Sequence, residues 1–504
     1  MVTWFLRKWF WITISWFKAA MNKPLDIPLP TAGPPLVPVP LRVAVPGLPI
    51  ARVPACKAED IPADERAPSH VFFFKLQLWL YRVFPPMQAD LPPVDADPEL
   101  ALAGAYTWMH RRCWGPPQMP AEYLGSPDLG SLAVRGPYAG YTQRAAEGSF
   151  EWDFSALDTY EVQPGLMRLG AKLRLEVDTT QRGLRAVRID SALGSVQPGD
   201  AQWEASKRLL LCAATTHLSL VAHFNGVHLA AGAALAVATR NRLPPDHALR
   251  RLLWPYVYAT QQSNDLVTRG QMLPGGDYEG TFSFTFEAMC RLFDDSFSAY
   301  RFEVNDPAAD AQARGVLDRG FDTPSEDNLA ALFAPMLEHA TDYIAIHWPD
   351  AARLRADEAI AGWLDELAQQ MPGGVGLTRD TLTAAGLARL VARTLYLVSV
   401  QHERLGSCLW NYQLWTHRQP VRVYLNGQRE PLDVYQRLVN ANFNLNVKRR
   451  LLIHDFTYLA LDERGADSMR RFQQGLDALQ ADMERAPWAV WKIYPRELKV
   501  NINA

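Results

Sequence analysis

One stretch constrains the fold of this chain more than any other: residues 203–247, which read WEASKRLLLCAATTHLSLVAHFNGVHLAAGAALAVATRNRLPPDH. It contains no proline before Pro244 and no glycine before Gly226, and it is rich in Ala and Leu. Apolar residues occur on nearly all sides of the helix that this pattern predicts, which is typical of a helix buried inside a large domain. The sequence therefore predicts a long core helix.

Three histidines lie in this apolar stretch: His217, His223 and His228. A buried imidazole needs a partner, because an unsatisfied buried polar group costs about 1–3 kcal/mol. A single core histidine is more often hydrogen-bonded to the backbone than bound to a metal, by roughly three to one, since buried polar groups usually find partners within the protein. Three histidines on one core helix favour a metal site.

The spacing of His223 and His228 predicts a local departure from the α-helix. A separation of five residues turns two side chains roughly 140° away from each other on a regular α-helix. A π-turn, with its i→i+5 hydrogen bonds, would bring both onto one face, and such turns tend to occur at functional sites. Asn225 and Gly226 between the histidines are weak helix formers, which favours this irregularity.

A second long helical run, predicted at residues 378–415, carries His402 after a mostly apolar stretch. Two imidazoles from the first helix and one from the second would form a three-histidine site. Imidazole ligands suit iron, zinc, copper or nickel. His247, His417 and His454 lie in less apolar surroundings and are predicted to be structural or exposed.

The composition limits the class of protein. The chain has 504 residues, a formal net charge of −3 and 48% hydrophobic residues, which is enough for a large core. With no internal repeat and no linker-like stretch after residue 60, residues 61–504 are predicted to form one domain. The near-neutral charge argues against nucleic acid as a partner. Five scattered cysteines without CxxC spacing predict neither a disulfide framework nor a thiolate metal site.

Two segments precede this domain. Residues 1–23 hold seven aromatic residues around an uncharged run that is shorter than the roughly 20 residues needed to span a bilayer. Their composition is typical of an amphipathic helix at a membrane surface; a poor signal peptide and a helix docked on its own domain are the alternatives. Residues 24–60 are a proline-rich, PPII-like arm that should wrap over the body. A cytoplasmic or membrane-peripheral location is favoured, with secretion as the alternative.

The remaining pattern is mainly helical. Runs such as KLRLEVD and RAVRID, interrupted by Gly and Pro between residues 125 and 200, predict strands of a small sheet. After residue 200, helices are predicted at residues 326–351, 356–370, 378–415 and 465–484. The predicted class is mainly α with a minor β element.

The surroundings of the histidines resemble the lipoxygenase family, in order over about residues 150–504. The family carries a Trp…Ala…Lys segment, then HxxxxH, a Thr-Asn-Arg-Gln-Leu-like stretch and His-Pro-x-x-Lys-Leu-Leu-x-Pro-His. This chain has WEASK at 203–207, His223 and His228, ATRNRL at 238–243 and HALRRLLWPY at 247–256. Asn264, LPGGDYEGTFSF at 273–284 and the Gln-His pair ending at His402 extend the match.

The resemblance implies a lipoxygenase-like catalytic domain, a large helical bundle around two long core helices, without the N-terminal lipid-binding β-barrel (PLAT domain) of plant and animal members. It implies a non-haem iron centre, with manganese as the other option, held by His223, His228, His402 and the terminal carboxylate of Ala504. The family's remaining Asn or His ligand falls on Gly406. Ser407, water or an open coordination position could take its place.

The implied activity is hydrogen abstraction from a polyunsaturated fatty acid or related lipid, followed by O₂ insertion to give a hydroperoxide. Phe224, Leu229 and Val267 are predicted to line the substrate channel; Val267 falls where the family has a small residue. Two alternatives stay open. One is altered chemistry at the metal, either hydroperoxide rearrangement or oxidation of a non-fatty-acid metabolite. The other is a non-catalytic relative that binds lipid or membrane.

Overall fold

The long core helix predicted at the centre of the fold is present as a continuous helical run, Trp203–Arg242. The computed structural model describes residues 26–66, 127–145, 148–317, 319–411, 419–427, 450–485 and 493–500, with single positions elsewhere. Within that part of the chain, the helix Trp203–Arg242 is long and apolar enough to cross a membrane, but 89% of its most apolar window is buried inside the protein. A buried core helix meets the same criteria, so this helix is not evidence of a membrane span.

Thirteen α-helices, two of which contain a π-helical segment, are assigned in the described residues. In chain order they are α1 (Leu41–Ala44), α2 (Leu129–Leu132), α3 (Trp203–Arg242), α4 (Ala248–Val257), α5 (Thr260–Gln271), α6 (Asp277–Thr281), α7 (Phe286–Ala299), α8 (Pro307–Arg314), α9 (Pro324–His347), α10 (Ala351–Arg355), α11 (Glu358–Gln370), α12 (the consecutive segments Ala384–Tyr396, Leu397–Gln401 and His402–Asn411) and α13 (Glu463–Arg485). α3 and α12 contact each other near their middles, and α9, α11 and α13 pack around them.

Two small antiparallel sheets complete the described fold. β1 (Pro38–Pro40) pairs with β2 (Pro54–Cys56); β3 (Gln143–Arg144), β4 (Phe150–Asp153), β5 (Ala171–Asp178), β6 (Gly183–Ser191) and β7 (Gly194–Val196) form a meander in chain order. On its core face, Leu173 is paired with Trp152 and Ile189, and all three side chains are fully buried. This face packs against the first turns of α3.

The predicted class, mainly α with a minor β element, is confirmed, and KLRLEVD and RAVRID lie in β5 and β6. Helix bounds differ by a few residues where capping decides them. The helix predicted from residue 378 begins at Ala384, because the Thr383 hydroxyl accepts a hydrogen bond from the Gly386 amide. The helix predicted to run to residue 351 ends at His347, and Asp350 caps the next one.

The proline-rich arm packs on the body, as its interspersed Val and Leu residues predict. Pro40 and Pro62 have backbone angles near PPII values (φ −52°, ψ 139° and φ −58°, ψ 148°). The Asn241 side chain exchanges two hydrogen bonds with the Leu36 backbone, and the Trp254 indole donates to the Pro28 carbonyl. The boundaries of the three predicted segments, 1–23, 24–60 and 61–504, stay predictions.

Most of residues 1–23 lie outside the described part of the chain. The described positions there are helical, and Phe5, Leu6 and Trp9 are exposed. Membrane contact through this segment and the localisation of the protein stay predictions.

Candidate metal centre

The middle of α3 is a π-helix, which places His223 and His228 on the same side. The π-helical segment runs from His217 to Gly232, 16 residues long, between two α-helical segments. The His223 and His228 ring centroids lie 5.1 Å apart. The predicted local π-turn is therefore confirmed, and it is considerably longer than the single turn that the spacing of two histidines requires.

Hydrogen bonds from neighbouring helices hold the π-helical register. The Asn225 amide donates to the Phe293 carbonyl (2.9 Å) and to the Ser296 hydroxyl (2.6 Å), both on α7. From α5, the Asn264 amide donates to the carbonyl of His228 itself at 3.1 Å. Because a π-helix satisfies its backbone less regularly than an α-helix, such side-chain donors stabilise it locally.

α12 brings a third imidazole to the same point. Its own π-helical segment, Leu397–Gln401, immediately precedes His402. His402 Nε2 lies 3.2 Å from His228 Nε2, and its ring centroid is 5.0 Å from those of both other histidines. All three side chains are buried, and their candidate ligand atoms lie within 4.8 Å of one another. In the part of the chain that the structure describes, no other group of three such side chains converges in this way.

Comparison with known proteins gives a consistent family likeness, although no protein-family model matches the sequence. A manganese lipoxygenase of Pleurotus sapidus is 24% identical over 276 residues, which are 52% of this chain and 42% of that protein. A calcium-dependent 11R-lipoxygenase structure superposes with a TM-score of 0.74 at 16% identity, covering 98% of this chain and 80% of that one. The chain has a lipoxygenase-like fold.

The sequence matches to curated relatives are partial. The hydroperoxide isomerase ALOXE3 of Homo sapiens is 21% identical over 230 residues, 44% of this chain and 32% of that protein. The matched regions thus span less than half the length of these relatives, and the identity is low. The likeness shows the lipoxygenase fold, and the activity of this lipoxygenase-like chain is a separate question.

The donor set fits a first-row transition metal. Two nitrogens bound to one ion at about 2.1 Å, at right angles or tetrahedrally, lie roughly 3.0–3.4 Å apart, and the His402–His228 nitrogens are 3.2 Å apart. Glu403 Oε1 lies 3.2 Å from His402 Nδ1. An ionised carboxylate only accepts, so His402 donates Nδ1–H to it and carries its lone pair on Nε2, toward the cluster. The three histidines could hold iron or manganese.

Gly406 lies one helical turn after His402. A Cβ at Gly406 would lie 3.4 Å from His223 Nε2, so this glycine leaves space beside a candidate ligand atom. The backbone of Ser407 continues the helix, but its side chain lies outside the described part of the chain, as does Ala504. Their predicted roles as an alternative ligand and as the carboxylate ligand stay predictions.

The terminal segment nevertheless approaches the candidate centre. Ile502 is fully buried, and a Cβ at Gly232 would come within 2.2 Å of its Cδ1. Gly232 ends the π-helical segment, four residues after His228. Only a glycine allows the terminal segment to approach α3 this closely.

The three predicted channel residues take different positions. Phe224 is buried with its ring stacked near that of His228 (centroids 5.5 Å apart, interplanar angle 29°), beside the metal cluster. Leu229 and Val267 are also fully buried, and Val267 lies on α5 three residues after Asn264. Their role in a substrate channel stays a prediction.

His217 stands apart from the cluster. Its Nδ1 lies 2.9 Å from the Tyr141 hydroxyl, and its ring packs edge-on against that tyrosine. Burial lowers the pKa of His217 to about 4, so the imidazole is neutral. The structure thus assigns His217 a hydrogen-bonded core position.

Two polar residues beside the centre, Glu403 and Lys499, were not among the site residues predicted from the sequence. Glu403 contacts His402, and its other oxygen lies 2.7 Å from Lys499 Nζ. A charged residue directly after a candidate ligand in an apolar run is a local signal that points to Glu403. Lys499 is 96 positions away, and no local signal identifies it.

Proposed function

We propose that the protein is a non-haem metal dioxygenase of lipoxygenase type. Its reaction would remove one hydrogen from a bis-allylic carbon of a polyunsaturated fatty acid and add O₂ to the same carbon chain, giving a hydroperoxide. A bound iron or manganese ion would supply the one-electron chemistry that hydrogen abstraction needs. His223, His228 and His402 would hold this ion.

One observation carries the proposal: three buried imidazoles converge in the core of a lipoxygenase-like fold, two from the π-helical segment of α3 and one from the residue that directly follows the π-helical segment of α12. Buried polar groups normally pair with backbone or with complementary side chains. Here one nitrogen from each of three imidazoles lies within 4.8 Å of the other two, an arrangement that suits a shared cation. The manganese lipoxygenase among the relatives supports manganese as one of the two candidate metals.

The protein's own side chains would shape the surroundings of the ion. Phe224 covers one face of the His228 ring, and Phe293 packs edge-on against Phe224. This apolar packing would exclude water beside the histidines, which protects a radical intermediate of the substrate from side reactions. Leu229 and Val267 remain proposed channel residues.

A second candidate function is rearrangement of a lipid hydroperoxide at the same metal. The observation that favours it is Gly406, where the space beside His223 Nε2 would leave a coordination position for a substrate oxygen. The hydroperoxide isomerase among the relatives supports the same possibility on this fold.

The test begins with metal analysis of protein produced with iron and, separately, with manganese. We expect about one metal ion per chain, as a single site requires. Oxygen consumption and conjugated-diene absorbance are then measured with linoleate, with arachidonate and with a linoleate hydroperoxide. Oxygen uptake with the free fatty acids is the expected result.

The outcomes separate the candidates. Turnover of the hydroperoxide without oxygen uptake from the fatty acids would replace the dioxygenase by the isomerase. Protein that binds neither metal stoichiometrically would rule out both enzymes and leave a non-catalytic lipid-binding relative. A metal-loaded protein that turns over none of the three lipids would point to oxidation of a different class of metabolite.

A further inference from the structure

We propose that Glu403 and Lys499 are positioning residues that orient the His402 imidazole and couple docking of the terminal strand to metal binding. The proposal rests on the metal centre proposed above. Neither residue would contact the ion: each would act through His402.

The first link is the contact between Glu403 and His402. Glu403 Oε1 lies 3.2 Å from His402 Nδ1, while His402 Nε2 faces His228. The carboxylate therefore selects the tautomer with its lone pair on Nε2 and resists rotation of the ring. It also makes the imidazole a stronger donor to a cation, as carboxylate partners of metal-bound histidines do. Both side chains are largely shielded from solvent, at 8% and 14% exposed.

The second link is the ion pair between Glu403 and Lys499. Lys499 Nζ lies 2.7 Å from Glu403 Oε2, so the two oxygens of one carboxylate serve the two partners separately. The ammonium compensates the charge of this largely buried carboxylate. It also fixes the direction of the carboxylate.

The third link is the terminal strand, by which we mean residues 498–500 and Ile502, where Lys499 forms an isolated antiparallel β-bridge with Leu451. The Val500 amide donates to the Arg450 carbonyl, and the Leu498 carbonyl accepts from the Leu452 amide, each at 2.9 Å. The side chains of Leu498, Val500 and Ile502 are fully buried. Lys499, between the first two, instead reaches Glu403 on α12.

This strand therefore meets both histidine-bearing helices. Ile502 packs at Gly232 on α3, and Lys499 pairs with Glu403 on α12. If strand docking fixes the imidazole geometry, metal binding must in turn stabilise strand docking, because coupling between two equilibria is reciprocal. Metal affinity and protection of the strand amides should change together.

The first experiment measures Mn²⁺ affinity by chelator competition, with folding of each variant checked by circular dichroism. We expect Glu403→Ala to weaken binding by about 10- to 100-fold, which is typical for loss of a group that supports a metal ligand. Lys499→Met should weaken it by about two- to fivefold, as for a partly exposed ion pair. Lys499→Arg should rescue most of that loss.

The double variant tests whether Lys499 acts through Glu403. In the Glu403→Ala background, Lys499→Met should cause no further loss, because its target is gone. Glu358→Gln is the matched control: it removes a carboxylate from the exposed pair with Arg379 and should leave Mn²⁺ affinity unchanged.

A second readout does not depend on affinity. In the wild-type protein, Mn²⁺ should slow hydrogen exchange of the Val500 amide, and this added protection should be lost in Lys499→Met. The electron paramagnetic resonance spectrum of bound Mn²⁺ should change in Glu403→Gln, because the donor strength of His402 changes.

Failure of this inference and failure of the proposed function give different results. If the wild-type protein binds neither Mn²⁺ nor Fe²⁺, the metal centre is wrong and this proposal falls with it. If the wild type binds Mn²⁺ and Glu403→Ala binds it within about twofold, the metal centre stands and the positioning role is overturned. If Lys499→Met weakens Mn²⁺ binding as much in the Glu403→Ala background as it does in the wild type, the coupling through Glu403 is overturned.

Discussion

α3 carries two buried polar clusters that are built on different principles. Near its C-terminal end, the Arg240 guanidinium donates to the Pro34 carbonyl on the arm (3.1 Å) and to Asp64 (3.0 Å) and Glu65 (2.6 Å), which closely follow the arm; we call this the arm cluster. In its π-helical middle, His223 and His228 face His402 across the contact with α12. The arm cluster pairs hydrogen-bond donors with acceptors, whereas the histidine cluster brings three imidazoles together.

This difference in pairing distinguishes a cluster that stabilises the fold from a site that is suited to bind a ligand. Burial raises the pKa of Glu65, and the Arg240 charge and hydrogen bond oppose that rise. Burial also lowers the pKa of Arg250 to about 10, helped by the nearby Arg240 charge. Paired charges and hydrogen bonds within this cluster offset part of its desolvation. In the histidine cluster, by contrast, three potential ligand nitrogens converge, an arrangement that suits a bound cation.

The largest effect that this comparison predicts is on metal content. Replacing His228 by Ala removes one of three convergent ligands, and we expect metal affinity to fall by more than about 100-fold, beyond what loss of a supporting group costs. The measurement is metal per chain after dialysis against buffer with a weak chelator. His217→Gln, in the same π-helical segment, should retain the metal, because His217 is hydrogen-bonded to Tyr141. Wild-type metal content in His228→Ala would place the ion elsewhere.

The second prediction concerns the arm cluster. Arg240→Met leaves Glu65, whose side chain is 2% exposed, without its cationic partner. We expect a loss of about 3–5 kcal/mol in the free energy of unfolding, as for one partner of a buried ion pair. Urea unfolding of the metal-free protein measures this.

Two controls sharpen that result. Arg379→Met, which breaks the exposed pair with Glu358, should cost about 0–1 kcal/mol. Metal affinity of folded Arg240→Met should match the wild type. Equal stability losses in Arg240→Met and Arg379→Met would mean that the arm cluster contributes no more than a surface pair, and the contrast between the two clusters would fail.

Sequence patterns predict the histidine cluster better than they predict the arm cluster. The spacing of His223 and His228 on an apolar helix, with Asn225 and Gly226 between them, was enough to predict a π-turn. The 16-residue length of the π-helical segment was not predictable, because donors from other helices, such as Asn264, hold its register. Such partners depend on packing that no local pattern records.

The arm shows the same limit. Its prolines and interspersed apolar residues predicted an extended segment lying on the body. They did not predict that Asp64 and Glu65 would meet Arg240, some 175 positions later. Lys499 and Glu403 are a similar case, since an ion pair between distant residues leaves no periodic signal in either segment. The type of helix and the candidate ligands can be predicted from local sequence. The pairing of distant charges cannot, because it depends on the tertiary structure.

His247 has a third kind of polar environment, which differs from both the arm cluster and the histidine cluster. His247 Nδ1 accepts from the Leu249 amide, so its Nε2–H donates to Asp357, 3.1 Å away. The Trp348 indole also donates to Asp357, at 2.9 Å. Burial alone would raise the pKa of Asp357, but these hydrogen bonds and the nearby imidazole lower it from 3.8 to about 2. Both ring nitrogens of His247 therefore have partners within the protein.

The smallest predicted effect follows from that pKa. A depressed carboxyl pKa stabilises the fold above the unfolded-state pKa of 3.8, and this contribution is lost as the pH falls through about 2. Allowing for partial solvent screening, we expect Asp357→Asn to cost about 1–2 kcal/mol at neutral pH. An asparagine at this position can still cap α11, so the lost stability reports on the carboxylate charge. In urea unfolding of metal-free protein, the gap between wild type and variant should stay constant above about pH 5 and shrink toward pH 2. A gap that does not change with pH would show that Asp357 contributes as a cap alone, and that the carboxylate is no electrostatic partner of His247.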